Sequence, residues 1–248
     1  MAGGQGAVLK ILHIAPFLPY PPRGGPLLRI WHMLRHLGTR NDLTFVGLIG
    51  PGEVPIIPEP LAQCCSRVYT APVQTQAPTD MELPDQVHYC NSPELRSLVE
   101  RLAEEHWDLV VLHTLALAEQ AGIFRVPVVL DEHNMESDLH FQQSLHVSSA
   151  HESVRWRAQA LRLGRYEQTV WPAFARLLVV SQEQRDQVLR SCPQARVQVV
   201  PNGCDTSAPL VPLACGTRRV FFCGLLSYPP NLQAVQQLLY KIMPRLWA

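Results

Sequence analysis

Residues 8–38, VLKILHIAPFLPYPPRGGPLLRIWHMLRHLG, decide the fold. Residues 8–14 are a short apolar run with β-branched members, closed by Pro16, and read as a buried strand. Pro19, Pro21, Pro22, Gly24 and Gly25 follow as a loop, stiff at its prolines and free at its glycines. From Pro26 the sequence reads as a helix. Leu27, Ile30, Trp31 and Leu34 line one face, and Arg29, His32, Arg35 and His36 lie elsewhere. Pro26 suits a first turn and Gly38 a C-terminal stop.

The pattern repeats outward. A second strand is predicted over residues 43–48, and further apolar runs fall at 67–70, 109–112, 127–130, 177–180 and 197–200. Helical stretches lie between several of them, at 93–105, 153–174 and 182–191. Short, fully apolar strands alternating with amphipathic helices imply an α/β fold: a Rossmann-like parallel sheet with helices on both faces. The Pro-rich stretch 51–60 and the polar stretch 72–84 read as loops. Residues 208–217 read as a linker between a first domain, 1–207, and the opening of a second, 218–248. That opening is a strand at 219–223, Gly224, a loop with Pro229 and Pro230, and a helix from Asn231 toward Tyr240. The C-terminal domain is expected to be truncated.

Composition narrows the function. Of 248 residues, 47% are hydrophobic, enough for a substantial core, while 21 basic residues balance 21 acidic ones. Without a net basic field to release counterions, nucleic acid is not an expected partner. The seven cysteines are odd in number and contain no CxxC pair, which argues for reduced thiols rather than disulfides or a zinc ribbon. The N-terminus lacks the order of a signal peptide, and no segment reaches the roughly 18 apolar residues of a transmembrane helix. A cytoplasmic protein is expected, with peripheral membrane contact open through the helix near Trp31.

Three junctions carry candidate chemistry. At Pro21–Pro26 a glycine loop precedes a helix, whose free N–H groups suit a phosphate; a plain strand-to-helix turn fits as well. At VVLDEHN, residues 128–134, polar side chains follow a buried strand directly, where ligands bind in open α/β sheets. Asp131, Glu132 and His133 offer acid–base groups or partners for a sugar hydroxyl; alternatively the HN pair simply opens a helix, with Asn134 capping it and Glu136 near its first turn. No HxH or HExxH spacing accompanies them, so no metal is expected. VVPNGCD, residues 199–205, supplies a turn at Asn202 and Gly203.

Taken in order, KILHIAPFLPYPPRGGPLLR, VVLDEHNMES, RYEQTVWPAFARLLVVSQEQRDQV, VQVVPNGCDTS and RVFFCGLLSYPPNLQAV resemble the retaining GT-B glycosyltransferases of family 4. The resemblance spans nearly the whole chain. It implies transfer of a sugar from a nucleotide-sugar donor to an acceptor hydroxyl, the acceptor itself being unknown, with no cofactor. His133 would be catalytic, and Gly24, Gly25, Glu132, Asn134, Asn202, Gly203 and Gly224 would bind substrate. It also implies a larger second domain carrying most donor contacts, so these residues alone are expected to be inactive. A non-catalytic interaction protein on the same fold is the alternative. A dinucleotide oxidoreductase is disfavoured by the missing GxGxxG.

Overall fold

The computed structural model describes residues 7–76, 83–147, 149–204 and 220–247. Seven parallel strands form one sheet in the order β3-β2-β1-β4-β5-β6-β7. They are β1 (Lys10–Ala15), β2 (Asp42–Ile49), β3 (Arg67–Pro72), β4 (Leu109–His113), β5 (Val128–Asp131), β6 (Arg176–Val179) and β7 (Val197–Val199). The chain winds one way from β1 to β3 and returns to lay β4 against the other side of β1. The order therefore reverses between β1 and β4, the place where such sheets open a crevice at their C-terminal ends.

Right-handed crossovers then fix which face each helix covers. Helices α1 (Gly25–Leu37) and α2 (Glu59–Cys64) sit on one face, where Ile30, Trp31, Leu34 and Leu61 pack on Ile11, Phe45 and Val111. On the other face lie α4 (Pro93–Ala103), α6 (Ala150–Val170) and α7 (Gln182–Ser191), placing Leu98, Leu163 and Val188 against Leu12, Leu112 and Leu177. Neighbouring strand residues serve opposite cores, Ile11 one and Leu12 the other, which is why the strands read as unbroken apolar runs. Helices α3 (Asp85–Tyr89) and α5 (Glu136–His146) complete the first unit, with a 3-10 stretch at Leu115–Ile123.

Several local expectations need correction. The stretch 51–60 is not all loop, because α2 starts at Glu59; α3 and the 3-10 stretch are additional elements, and α5 is the helix that the alternative reading of the HN pair opens, starting at Glu136. The helix expected at 153–174 runs Ala150–Val170. Gly38 ends α1 as expected, and does so in the ordinary right-handed region, φ −64°. It is glycine for space: a Cβ there would lie 2.4 Å from the Cys64 carbonyl oxygen and 3.0 Å from that of Leu34. Gly38→Ala should accordingly force α1 and the end of α2 apart, costing about 1–3 kcal/mol in urea unfolding. An unchanged midpoint would show that the contact is not tight.

The chain divides into two compact units, Met1–Asn202 and Gly203–Ala248. The expected linker at 208–217 lies outside the described residues, as does part of the loop at 72–84. In the second unit, 220–223 are not a strand. An apolar run becomes a strand only by pairing its backbone, and no described neighbour offers a ladder. The unit contains α8 (Pro229–Gln237), a π-helical turn Leu238–Ile242 and α9 (Met243–Trp247).

Candidate functional site

Three strands end in polar side chains on the α1 face of the sheet. His13 lies near the end of β1, His113 is the last residue of β4, and Asp131 is the last of β5. Register places His113 beside Asp131 and His13 beside Val111, so the row crosses the reversal between β1 and β4. All three residues are 0% exposed. Buried polar groups must find partners, and here they find one another.

His13 Nδ1 is 3.1 Å from His113 Nε2, with the two rings stacked at 15°. His113 Nδ1 is 3.1 Å from Asp131 Oδ2, and His133 Nε2 lies 3.0 Å from the same oxygen. From α1, Arg29 donates Nε to both oxygens at 3.0 and 3.2 Å and Nη2 to Oδ1 at 2.7 Å. Its Nη1 donates to the Val200 carbonyl at 2.8 Å and to Asn202 Oδ1 at 3.0 Å. One guanidinium thus ties together the ends of α1, β5 and β7.

The protons follow from Asp131. Burial alone would raise its pKa, but hydrogen bonds from His113 and His133, together with Arg29, outweigh burial and hold the carboxyl far below the usual range. An ionised carboxylate only accepts, so His113 donates Nδ1–H and His133 donates Nε2–H. Burial lowers the pKa of His113, and that of His13 well below its usual value, so both rings are neutral. With Nδ1 protonated, His113 accepts at Nε2 from His13 Nδ1–H. Among the described residues two ring nitrogens then remain buried without partners, His13 Nε2 at the inner end and His133 Nδ1 at the outer. His133 donates its Nε2–H to Asp131, so Nδ1 is the ring nitrogen it has to offer.

His113, Asp131 and His133 bring ligand atoms within 4.8 Å of one another, the donor set of a two-histidine, one-carboxylate metal site. The fit is poor, because both Asp131 oxygens already serve Arg29 and the histidines. A divalent ion would face the guanidinium across the carboxylate they shared.

Glu132, expected to touch substrate, is turned inward and 1% exposed. Its Oε2 accepts from Leu115 N–H at 2.9 Å, and the Trp171 indole N–H lies 3.4 Å from Oε1. It braces a strained turn: Thr114, immediately after β4, has φ +75°, an outlier for a β-branched residue. Burial first, and then Glu167 and Glu136, push the Glu132 pKa well up. Glu167 accepts from Ser137 N–H at the start of α5, and burial takes its pKa to about 6. Asn134 bonds the Glu136 carboxyl.

Gly24 caps α1 with no side-chain hydrogen bond, there is no acid in the first turn, and a Cβ on Gly25 would meet nothing within 4 Å. The helix start is open, one turn before Arg29. His133 and Asn202 share the Arg29–Asp131 cluster. Gly203 is exposed in the second unit, where Gly224 packs closely on the Asn231 side chain. Trp31 is 8% exposed and packs edge-on against Tyr20 at 5.0 Å, so the apolar stripe of α1 is spent on the sheet. Among the described residues no helix is long and apolar enough to cross a membrane.

Comparison with known proteins gives one family match. The model of Glycosyltransferase Family 4 matches residues 24–208. No curated protein matches by sequence. Solved structures similar to the chain include a UDP-glucosyltransferase from Polygonum tinctorium capable of glucosylating indoxyl (13% identity, 84% of this chain and 56% of that one, TM-score 0.45). Another is sucrose-phosphate synthase from Thermosynechococcus elongatus (12% identity, 96% and 99%, TM-score 0.46). A third is Phytolacca americana UGT2 complexed with UDP-2fluoro-glucose and pterostilbene (12% identity, 81% and 56%, TM-score 0.45). The chain spans about half the length of the two plant proteins.

Proposed function

The chain belongs to glycosyltransferase family 4, and on that premise we propose that it forms the acceptor-side part of an enzyme transferring a sugar from a nucleotide sugar to an acceptor hydroxyl. The observation that carries the reading is the unpartnered, buried Nδ1 of His133, held in one tautomer by Asp131 at the C-terminal edge of the sheet. A lone pair so placed accepts from a hydroxyl, the commonest group on a sugar. The uncapped start of α1 supplies the complement. Transfer leaves negative charge on the departing diphosphate, and free N–H groups at a helix N-terminus stabilise it.

Gly25→Ala tests this directly. The added methyl enters open space, so stability should hold or rise slightly. A phosphate approaching the backbone would meet that methyl, and losing one charge-assisted hydrogen bond weakens donor binding about tenfold or more. Amide shifts during titration with UDP-glucose and GDP-mannose, alongside thermal melting, give both readings. Equal donor affinity in the two proteins would remove the glycine loop from the site.

Residues 1–248 by themselves should bind donor weakly and turn over poorly. A few phosphate hydrogen bonds of about 1.5–3 kcal/mol each barely offset the roughly 4–15 kcal/mol needed to immobilise a ligand. Calorimetry is expected to give a Kd above about 0.1 mM. Micromolar affinity with steady product formation would overturn this expectation.

A further inference from the structure

We propose that a second cavity of the first unit, between α3, α5 and α6, binds the ring of a neutral saccharide and so makes the acceptor a glycoside. Its volume is 390 Å³, within the range of about 300–1,000 Å³ of small-molecule sites. The acceptor role rests on the transferase reading above; saccharide binding by the cavity does not.

The walls are built and braced. Trp156, half-buried on α6, packs its ring on that of His140 from α5, centroids 5.0 Å apart. Across the cavity, Asp85 of α3 accepts from the Gln159 side chain and pairs with Arg162 at 3.8 Å, joining α3 to α6. Tyr89 adds a second aromatic surface, 43% exposed. Gln86, Glu152 and Arg155 also line the cavity, and no hydrogen bond engages their side chains among the described residues.

These walls select among ligand classes. A sugar ring has a C–H face that packs on an aromatic ring and an edge of hydroxyls that both donate and accept. Here aromatic faces stand beside an unengaged carboxylate, amide and guanidinium. Arg162 already pairs with Asp85, and Glu152 balances Arg155, so the cavity has no net positive charge with which to gather phosphate. Among the described residues Leu163 and Pro84 are its only aliphatic walls, too little for a lipid chain. The cavity also lies on the helix that begins beside His133. His140 is one turn beyond Glu136, about 6 Å along α5, and its Nδ1 bonds the Glu136 carbonyl at 2.8 Å.

The test titrates residues 1–248 with methyl glycosides of glucose, galactose, mannose and N-acetylglucosamine, each to 100 mM. The probe is the Trp156 indole N–H resonance, assigned by its loss in Trp156→Phe. At least one glycoside should shift that resonance saturably and receive magnetisation from the protein. Tyr89→Ala, at an exposed position, should weaken that affinity about threefold, and Trp156→Ala about tenfold. Should Trp156→Ala fail to fold, Tyr89→Ala decides. No response to any glycoside, a response indifferent to Tyr89→Ala, or a stronger response to sodium phosphate or to octanol would overturn the proposal. UDP-glucose is titrated separately at the Gly25 amide. Loss of that response with the glycoside response intact would sink the transferase reading and leave the saccharide site standing.

Discussion

Asp131→Asn is expected to lower the unfolding free energy by about 3–5 kcal/mol, the cost of leaving one member of a buried ion pair uncompensated. The guanidinium of Arg29 is 6% exposed and its carboxylate partner 0%, so water cannot substitute for the lost charge. Asparagine keeps an acceptor for Arg29, but it presents an N–H₂ group where Oδ2 accepted from two histidines. Each histidine must then accept, and the proton pattern reverses along the row: His113 donates from Nε2, His13 must accept at Nδ1, and His133 carries its proton on Nδ1. The nitrogen offered to a ligand hydroxyl changes from acceptor to donor. Urea unfolding at pH 7 measures the first effect, and ¹⁵N shifts of the histidine rings the second. Adding Arg29→Met should recover part of the loss, because the stranded charge goes with it. Unchanged ring shifts in Asp131→Asn would mean that Asp131 does not set the tautomers.

Glu132→Gln should make stability rise with pH relative to the parent protein. The sign follows from the raised pKa of Glu132 in the folded state. Below the unfolded value, about 4.3, both states are protonated and this group contributes no pH dependence. Above it the unfolded chain releases a proton that the folded chain keeps, so the parent loses about 1.4 kcal/mol per pH unit until its folded pKa is passed. Glutamine does not titrate and is spared that slope. It can still accept from Leu115 N–H, although its amide faces the Trp171 indole N–H poorly. Near pH 4 the variant should therefore be equal to or slightly less stable than the parent, and the order should reverse on the way to pH 7. Parallel profiles would show that Glu132 is ionised in the fold. In the parent's own profile these contributions oppose one another: His13 and His113, with lowered pKa values, lose stability as pH falls below about 6.5, whereas Glu132, Glu136 and Glu167, with raised ones, lose it as pH rises above about 4.3.

The sheet was legible because strands buried on both faces have no room for polar residues, which makes each a conspicuous apolar run. Short elements were not: α2 and α3 have only six and five residues, too few to show a helical period. At the site, VVLDEHN stood out because its polar residues are contiguous, whereas His13 and His113 each stand alone in apolar runs. The available signal was that each falls near the end of a doubly buried strand, where an unpaired imidazole would be costly. Arg29 looked like part of the polar face of α1. Its partners lie far off in sequence, and no local pattern reveals them.

That distance sets an order of assembly. Arg29 meets residues 102, 171 and 173 positions downstream. At translation rates of about 5–20 residues per second, roughly 9–35 s separate the emergence of Arg29 from that of Asn202. During that interval β1, α1 and β2 can already pair through local contacts, while the guanidinium stays hydrated and the crevice above the sheet stays open. Only the arrival of β7 completes its set of acceptors. The polar cluster is then the last part of the first unit to close, and its formation reports that everything before it has folded.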